Sequence, residues 1–193
     1  MWDVACRPIL NYGGEVWAGS SSTEEKKLEQ IQDRGVGIIL GLSWRFPGVV
    51  VRGELGWMKL SSLRHRQALV YLGRLRSMEE HRWPKFVVKA LGANGISGSW
   101  MDYVRKLVCN YGLQEAWNSN GFTIRQWKHL VRWIIRKGAD RQWLEEKASQ
   151  SDIGKSGQGC MELKRARYIQ GSSRGEETQR EIKKWCEWGE HWA

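Results

Sequence analysis

The chain has 193 residues, of which 41% are hydrophobic, so it is long enough to bury a core in one or two domains. Its 31 Lys and Arg exceed its 21 Asp and Glu, and the formal charge of +10 favours a polyanionic partner, because phosphate binding releases counterions. We find no signal peptide and no closely spaced cysteines, which argues against a secreted protein. No apolar run approaches the length of about 20 residues that a membrane span needs. We therefore expect an intracellular protein, nuclear or cytoplasmic.

Hydrophobic spacing predicts helices along most of the chain, beginning abruptly with residues 2–12. Ser22 and Glu25 form a capping box, in which a hydroxyl and a carboxylate satisfy backbone amides, and this box starts a helix that ends near Leu40. Gly41 is placed to terminate the helix. The predicted buried stripe of the helix consists of Leu28, Ile31, Ile38 and Leu42.

Further helices are predicted before the first boundary. Pro47 suits the first turn of a short helix, because its missing N–H is not needed there. Ser61 or Ser62 is predicted to cap a longer helix that reaches about residue 77, and another short helix spans about 83–91. Three glycines within residues 92–98 predict a loop, which is the first candidate domain boundary.

Two more helix starts are predicted beyond this boundary. Ser99 with Asp102 caps one helix, and Thr123 with Gln126 forms the capping box of another that ends near residue 147. Cys109 falls on the apolar face predicted for the first of them, so we interpret it as a buried thiol rather than a nucleophile. Most of the 13 Trp stand beside apolar residues at helical spacing, and we expect them in the core.

These patterns predict an all-α fold with no β-hairpin. Residues 1–91 are expected to form an irregular helical bundle, and residues 99–147 a second, small helical region. Residues 148–193 begin with a Ser- and Gly-rich linker and continue as a flexible basic tail with two weakly docked helices.

Catalytic and metal-binding patterns are weak throughout the sequence. Cys186 and His191 supply two potential zinc ligands, whereas a structural site requires four, so we predict no metal and no cofactor. Two-metal nucleotidyl transfer needs acidic residues on adjacent strands. Here the acidic pairs stand at helix ends or in loops, which predicts no catalytic residues and a chain that is not an enzyme: Glu24-Glu25, Glu79-Glu80, Glu145-Glu146 and Glu176-Glu177.

Basic residues interleaved with aromatic ones are the positive signal. Four of them recur at spacings of three and four in the 123–141 helix, and they form one cationic stripe beside its apolar face. Such a stripe suits a phosphate backbone, although an ordinary solvated helix face gives the same pattern. The candidate nucleic-acid-binding residues, on this helix and the 61–77 helix, are Arg64, Arg66, Arg74, Arg76, Arg125, Lys128, Arg132 and Arg136.

Several spaced segments carry a resemblance to a known family. PILNYGGEVW at 8–17, LEQIQDRGVGIILGL at 28–42, ELGWMKLSSLRHRQALVYLGRL at 54–75 and SWMDYVRKLVCNYGLQEAW at 99–117 are the segments concerned. Together they resemble the thumb and the following connector of non-LTR (LINE-type) retrotransposon reverse transcriptases. The resemblance covers residues from about 8 to about 145.

The resemblance implies a thumb-like bundle that lies along the template–primer duplex. It implies that the RNA-directed DNA polymerase palm, with its metal-binding aspartates, precedes Met1, and that palm and fingers are a potential partner. The expected partners are RNA, DNA or their hybrid, bound through the phosphate backbone. A structural or protein-interaction module, including a degenerate or truncated gene product, is the alternative.

Overall fold

The computed structural model describes residues 2–16, 22–41, 47–94, 98–119 and 122–151. Ser22, Leu42 and most of the predicted linker and tail in 148–193 therefore lie outside the residues whose side chains are described. Described elements are a π-helical segment (Trp2–Cys6), followed by α1 (Arg7–Leu10), α2 (Ser22–Ile39), α3 (Gly48–Leu55), α4 (Leu60–Ser77), α5 (Trp83–Asn94), α6 (Trp100–Asn110), α7 (Gln114–Asn118) and α8 (Ile124–Ser151).

No strand occurs within these ranges, which confirms the predicted all-α fold. Among the described helices, none combines the length and the apolar character needed to cross a membrane. The short helix α7 was missed by the sequence patterns, since five residues are too few to show a helical period.

Two of the helix caps that the sequence predicts are present in the structure. The Ser99 hydroxyl accepts a hydrogen bond from the backbone N–H of Asp102 at 3.3 Å and so starts α6. At the start of α8, the Thr123 hydroxyl accepts from the Gln126 N–H at 3.3 Å, and the Gln126 side chain accepts from the Thr123 N–H at 2.8 Å. This is the reciprocal arrangement of a capping box.

The start of α4 departs from the prediction. The helix begins at Leu60, so Ser61 lies inside its first turn and neither Ser61 nor Ser62 is the cap. Instead, the Glu29 carboxylate of α2 accepts from the backbone N–H of Leu60 at 3.2 Å and from that of Ser61 at 2.9 Å. A negative group at a helix N-terminus accepts hydrogen bonds from unpaired backbone amides and interacts favourably with the positive end of the helix dipole. The cap of α4 therefore comes from a side chain that is distant in the sequence.

The described residues form two compact units, and two of the boundaries between them fall inside α4 and α8. Of the described residues, 2–12, 22–41, 47–63 and 136–151 belong to unit 1, and 13–16, 64–94, 98–119 and 122–135 belong to unit 2. Unit 2 contains residues on both sides of 92–98, and the predicted division into 1–91, 99–147 and 148–193 stays a prediction.

Unit 2 has a continuous apolar core built by α4, α6, α7 and the first part of α8. The Trp127 indole is 3% exposed, and its N–H donates to the Leu69 carbonyl at 2.7 Å, so the one polar group of this ring is satisfied inside the core. The buried members of the core are Ala68, Leu69, Leu72, Met101, Val104, Leu107, Val108, Leu113, Ala116, Trp127, Leu130, Val131, Ile134 and Ile135.

Unit 1 has a smaller apolar core and more buried polar contacts. Val49 and Trp143 are buried together, and the Trp143 N–H donates to the Val49 carbonyl at 2.8 Å. Gln32 is fully buried on α2, where its side-chain amide donates to the Met58 carbonyl at 3.0 Å. Polar side chains thus help to join the elements of this unit.

The buried face predicted for α2 is wrong. Ile38 is 81% exposed and Ile31 is 46% exposed, whereas Gln32 and Val36 are fully buried. The face that turns inward carries polar residues with partners in the fold, such as Gln32 and Glu29. Hydrophobic spacing cannot find such a face, because the partners come from distant parts of the chain.

The prediction for Cys109 is also wrong, since its thiol is exposed. Val104, Leu107 and Val108 form the buried face of α6, and successive residues of an α-helix are rotated by about 100°. Residue 109 therefore points away from the side that Val104 and Val108 share. Of the tryptophans, Trp127 and Trp143 are buried as expected, but Trp83 is 76% exposed.

Candidate nucleic-acid interface

Positive charge is concentrated in one part of the chain. Residues 64–135, which form most of unit 2, contain twelve Lys and Arg against four Asp and Glu. Residues 22–63 contain six against five, and residues 136–151 contain four against three. The two segments that belong mainly to unit 1 are thus nearly neutral, and unit 2 is the polyanion-binding candidate.

The first half of α8 presents an uncompensated cationic surface. Arg125 and Arg132 are exposed and Lys128 is partly exposed, at the spacings that place them on one side of the helix. Within the residues that the structure describes, these three side chains form no ion pair. We call Arg125, Lys128 and Arg132 the α8 stripe.

The opposite side of the same helix is anchored in the core. Trp127, Leu130 and Val131 are between 0 and 3% exposed. Their packing fixes the rotation of α8 about its axis, so the α8 stripe is held outward. From Arg125 to Arg132 the helix rises by about 10 Å, which corresponds to about three phosphates along one strand of a duplex.

Arg136, the last predicted member of this surface, differs from the other three. Its side chain is 57% exposed, but its guanidinium lies 3.8 Å from the Asp140 carboxylate one helical turn further on. Asp140 thereby partly compensates its charge. Arg136 also belongs to unit 1, so we leave it out of the α8 stripe.

Two predicted residues of α4 lie in the fold rather than on its surface. Arg64 is 1% exposed, which leaves no room for a phosphate to reach its guanidinium. Arg76 donates to the Trp117 carbonyl and, at 3.3 Å, to the Ser119 carbonyl, and its guanidinium stacks 4.7 Å from the Trp117 ring centroid. Arg76 thus holds the end of α7.

The other two predicted residues of α4, Arg66 and Arg74, differ in exposure. Arg74 is exposed near the end of the helix, where a phosphate can approach it. Arg66 is half-buried and interacts with neighbouring groups. Among the four predicted arginines of α4, Arg74 is therefore the one whose position suits backbone binding.

His65 is a half-buried histidine of α4. Its Nδ1 lies 2.9 Å from the Tyr111 hydroxyl, and the rings of Tyr103 and Tyr111 pack beside it. Burial and, to a smaller extent, the adjacent Arg64 charge together lower the pKa of His65 from its usual 6.5 to about 4. This imidazole is therefore neutral at neutral pH and adds no charge to unit 2.

Unit 1 also contains a charged cluster, but the cluster neutralises itself. Arg52 is buried and pairs with the Asp33 carboxylate and, at 3.4 Å, with that of Glu146, which also accepts from Lys59. The adjoining cavity measures about 20 Å³, room for about one water molecule. Two cations face two carboxylates here, so the cluster holds α2, α3 and α8 rather than an anion.

No group of three or more His, Cys, Asp or Glu is placed to hold a metal ion in the part of the chain that the structure describes. Cys186 and His191 lie outside that part. Of the acidic pairs, Glu79 and Glu80 are exposed, and Glu145 is exposed beside the paired Glu146.

No protein-family model matches this chain, and no curated protein or solved structure is detectably similar to it.

Proposed function

We propose that unit 2 binds the phosphate backbone of a nucleic acid through the α8 stripe. The observation that carries this proposal is the pairing of an anchored apolar side with an outer side whose three cations have no ion pair among the described residues. Side chains held in this way can neutralise phosphates without first breaking internal salt bridges. Exposed Arg74 is a further backbone contact in the proposal.

The resemblance noted in the sequence suggests where such binding is used. In the thumb and connector of a non-LTR retrotransposon reverse transcriptase, helices of this kind lie along a template–primer duplex. We therefore propose a non-catalytic role for this chain, with RNA, DNA or an RNA–DNA hybrid as its ligand. The proposal assigns no residue of the chain to polymerase chemistry.

The test is the salt dependence of binding by the full chain. Affinity for a short mixed-sequence DNA duplex is measured at several salt concentrations, with a matched RNA–DNA hybrid and an RNA duplex in parallel. A triple variant, Arg125→Gln, Lys128→Gln and Arg132→Gln, removes the α8 stripe. We expect the slope of log affinity against log salt to become shallower by about 3, because each lost phosphate contact changes it by about 1.

A second triple variant controls for net charge. Lys26→Gln, Lys27→Gln and Arg34→Gln remove three exposed charges from α2 in unit 1. We expect this control to keep the slope of the natural chain. No duplex binding by the natural chain at low salt, or the same loss of slope in both variants, contradicts the proposal.

An exposed apolar surface in unit 1 favours a second candidate, a protein-interaction module. Ile31 and Ile38 are exposed two turns apart on α2, and Ile39 beside them is 52% exposed. Apolar side chains grouped in this way are typical of protein contacts. Concentration-dependent self-association that Ile38→Asp abolishes, together with no nucleic-acid binding, is the result that would favour this candidate.

A further inference from the structure

Helix α5 has two apolar sides, and one of them faces solvent. Val88 and Leu91 pack against the core of unit 2, as expected for an amphipathic helix. On another side, Trp83 is 76% exposed, Phe86 is 59% exposed and Val87 is 46% exposed. Aromatic side chains usually contribute their large apolar area to the core, so two exposed rings one helical turn apart are unusual.

The helix that carries this aromatic pair is fixed at both ends. Near its start, the Lys85 ammonium donates to the Arg76 carbonyl at 3.1 Å and to the Met78 carbonyl at 2.5 Å. Near its end, the Arg105 guanidinium donates to the Gly92 carbonyl at 2.8 Å. The exposed rings are therefore presented on a supported element.

The geometry of the pair leaves ring faces open. The ring centroids of Trp83 and Phe86 are 5.9 Å apart, and the ring planes are inclined by 86°. In this edge-to-face arrangement the edge of one ring meets one face of the other, and neither ring stacks flat over its partner. With Trp83 only 24% covered, its indole has a face on which another flat ring can stack.

The charges around the pair indicate which flat ring this is. Arg82 directly precedes Trp83, is exposed, and forms no ion pair or side-chain hydrogen bond within the described residues. Lys89 is 62% exposed and, within the described ranges, its one ion pair is with Glu80, which is 67% exposed and also pairs with Lys85. Solvent-exposed ion pairs of this kind are weak, so a phosphate can replace Glu80.

From these observations we propose that Trp83 and Phe86 form a stacking platform for the bases of a single-stranded nucleic acid, with Arg82 and Lys89 on its backbone. Aromatic faces beside exposed cations are the combination by which proteins bind single strands. A duplex cannot use the platform, because its bases are stacked on each other. This inference rests on the proposed function, since it extends the polyanion-binding surface of unit 2 from paired to unpaired strands.

The experiment compares two probes on the full chain. One is a single-stranded oligothymidylate, and the other is the short DNA duplex of the preceding test. We expect Trp83→Leu, which keeps apolar volume but removes the aromatic face, to weaken single-strand binding about five- to hundredfold. Duplex binding is expected to stay unchanged. Trp83→Phe restores a smaller ring and is expected to recover part of the single-strand affinity.

A matched control variant is Ile38→Ala, which truncates an equally exposed apolar side chain on α2. It is expected to leave both affinities unchanged. Single-strand binding that survives Trp83→Leu, while the duplex binds normally, overturns the platform and leaves the proposed function intact. Equal losses on both probes also overturn it, because they show a general rather than a stacking effect. A natural chain that binds neither probe overturns the proposed function itself.

Discussion

The indole of Trp127 lies directly over Gly73, so close that no side chain larger than hydrogen fits there. The indole N–H donates to the Leu69 carbonyl, which precedes Gly73 by one helical turn and also accepts its intrahelical bond. The same relationship recurs in unit 1. There Trp143 lies over Gly53 and donates to the Val49 carbonyl, again four residues earlier.

Gly73→Ala is expected to destabilise the protein. The added methyl group meets the buried Trp127 ring, and overpacking of this kind costs about 1–3 kcal/mol, more than the up to about 1 kcal/mol that Ala gains in helix propensity. Urea unfolding measures the loss. Gly92→Ala is the matched control, because its nearest neighbouring atom would be 3.4 Å away, and it is expected to be neutral or stabilising. Equal stability of the two variants contradicts the packing argument.

His65 predicts a defined pH dependence of stability. Its pKa is about 4 in the folded chain and near 6.5 when unfolded, so between these values the unfolded state binds more protons. The contribution that neutral His65 makes to the free energy of unfolding is therefore fully present above pH 6.5. It falls as the pH is lowered towards 4, by up to about 3 kcal/mol.

The measurement is the free energy of unfolding across that pH window in the natural chain and in His65→Gln. The difference between the two is expected to change with pH, since carboxylates that titrate in both proteins cancel. His129→Gln replaces an exposed imidazole and should follow the natural chain. A parallel pH profile for His65→Gln would show that burial does not depress this pKa.

Glu29→Gln is expected to weaken the start of α4 by about 1 kcal/mol, because the amide keeps one acceptor but loses the negative charge at the helix N-terminus. Thermal unfolding followed by circular dichroism measures this change. Glu145→Gln, on an exposed carboxylate of α8, provides the comparison and should be within error of the natural chain. If both substitutions have the same small effect, Glu29 is not an energetically significant cap.

Arg76→Lys is expected to lower stability by about 1–3 kcal/mol without changing the salt slope of nucleic-acid binding. A lysine ammonium cannot stack on Trp117 and reach the carbonyls of both Trp117 and Ser119 as the planar guanidinium does. Arg74→Lys, on an exposed side chain, is the control for stability. If Arg76→Lys instead reduces the salt slope and leaves stability unchanged, Arg76 is a nucleic-acid contact and not a structural residue.

The sequence predicted features whose causes are local. The Thr123–Gln126 capping box and the Ser99 cap each depend on residues three positions apart, and both are present. Gly41, predicted to end α2, adopts a positive φ of 64°, which favours glycine. Helix boundaries that depend on such short-range interactions can be predicted from the sequence alone.

Features that depend on distant partners could not be predicted. Nothing near Arg64 in sequence distinguishes it from Arg74, yet one is buried and the other exposed. Likewise the inward face of α2 includes polar side chains, because Gln32 donates to the Met58 carbonyl and Glu29 accepts from the Leu60 N–H. The candidate interface could therefore be predicted only in part. The sequence showed the spacing of the α8 stripe, but it did not show that arginines of α4 are buried.

The origin of each cap also bears on the order in which helices form. The cap of α8 is assembled within one turn, so it can form as soon as the helix nucleates. The cap of α4 requires a loop of 31 residues to close between Glu29 and Leu60, at an entropic cost of about 3 kcal/mol. The beginning of α4 should therefore mature late, with φ-values near zero for Glu29→Gln, while substitution of Thr123 slows folding itself.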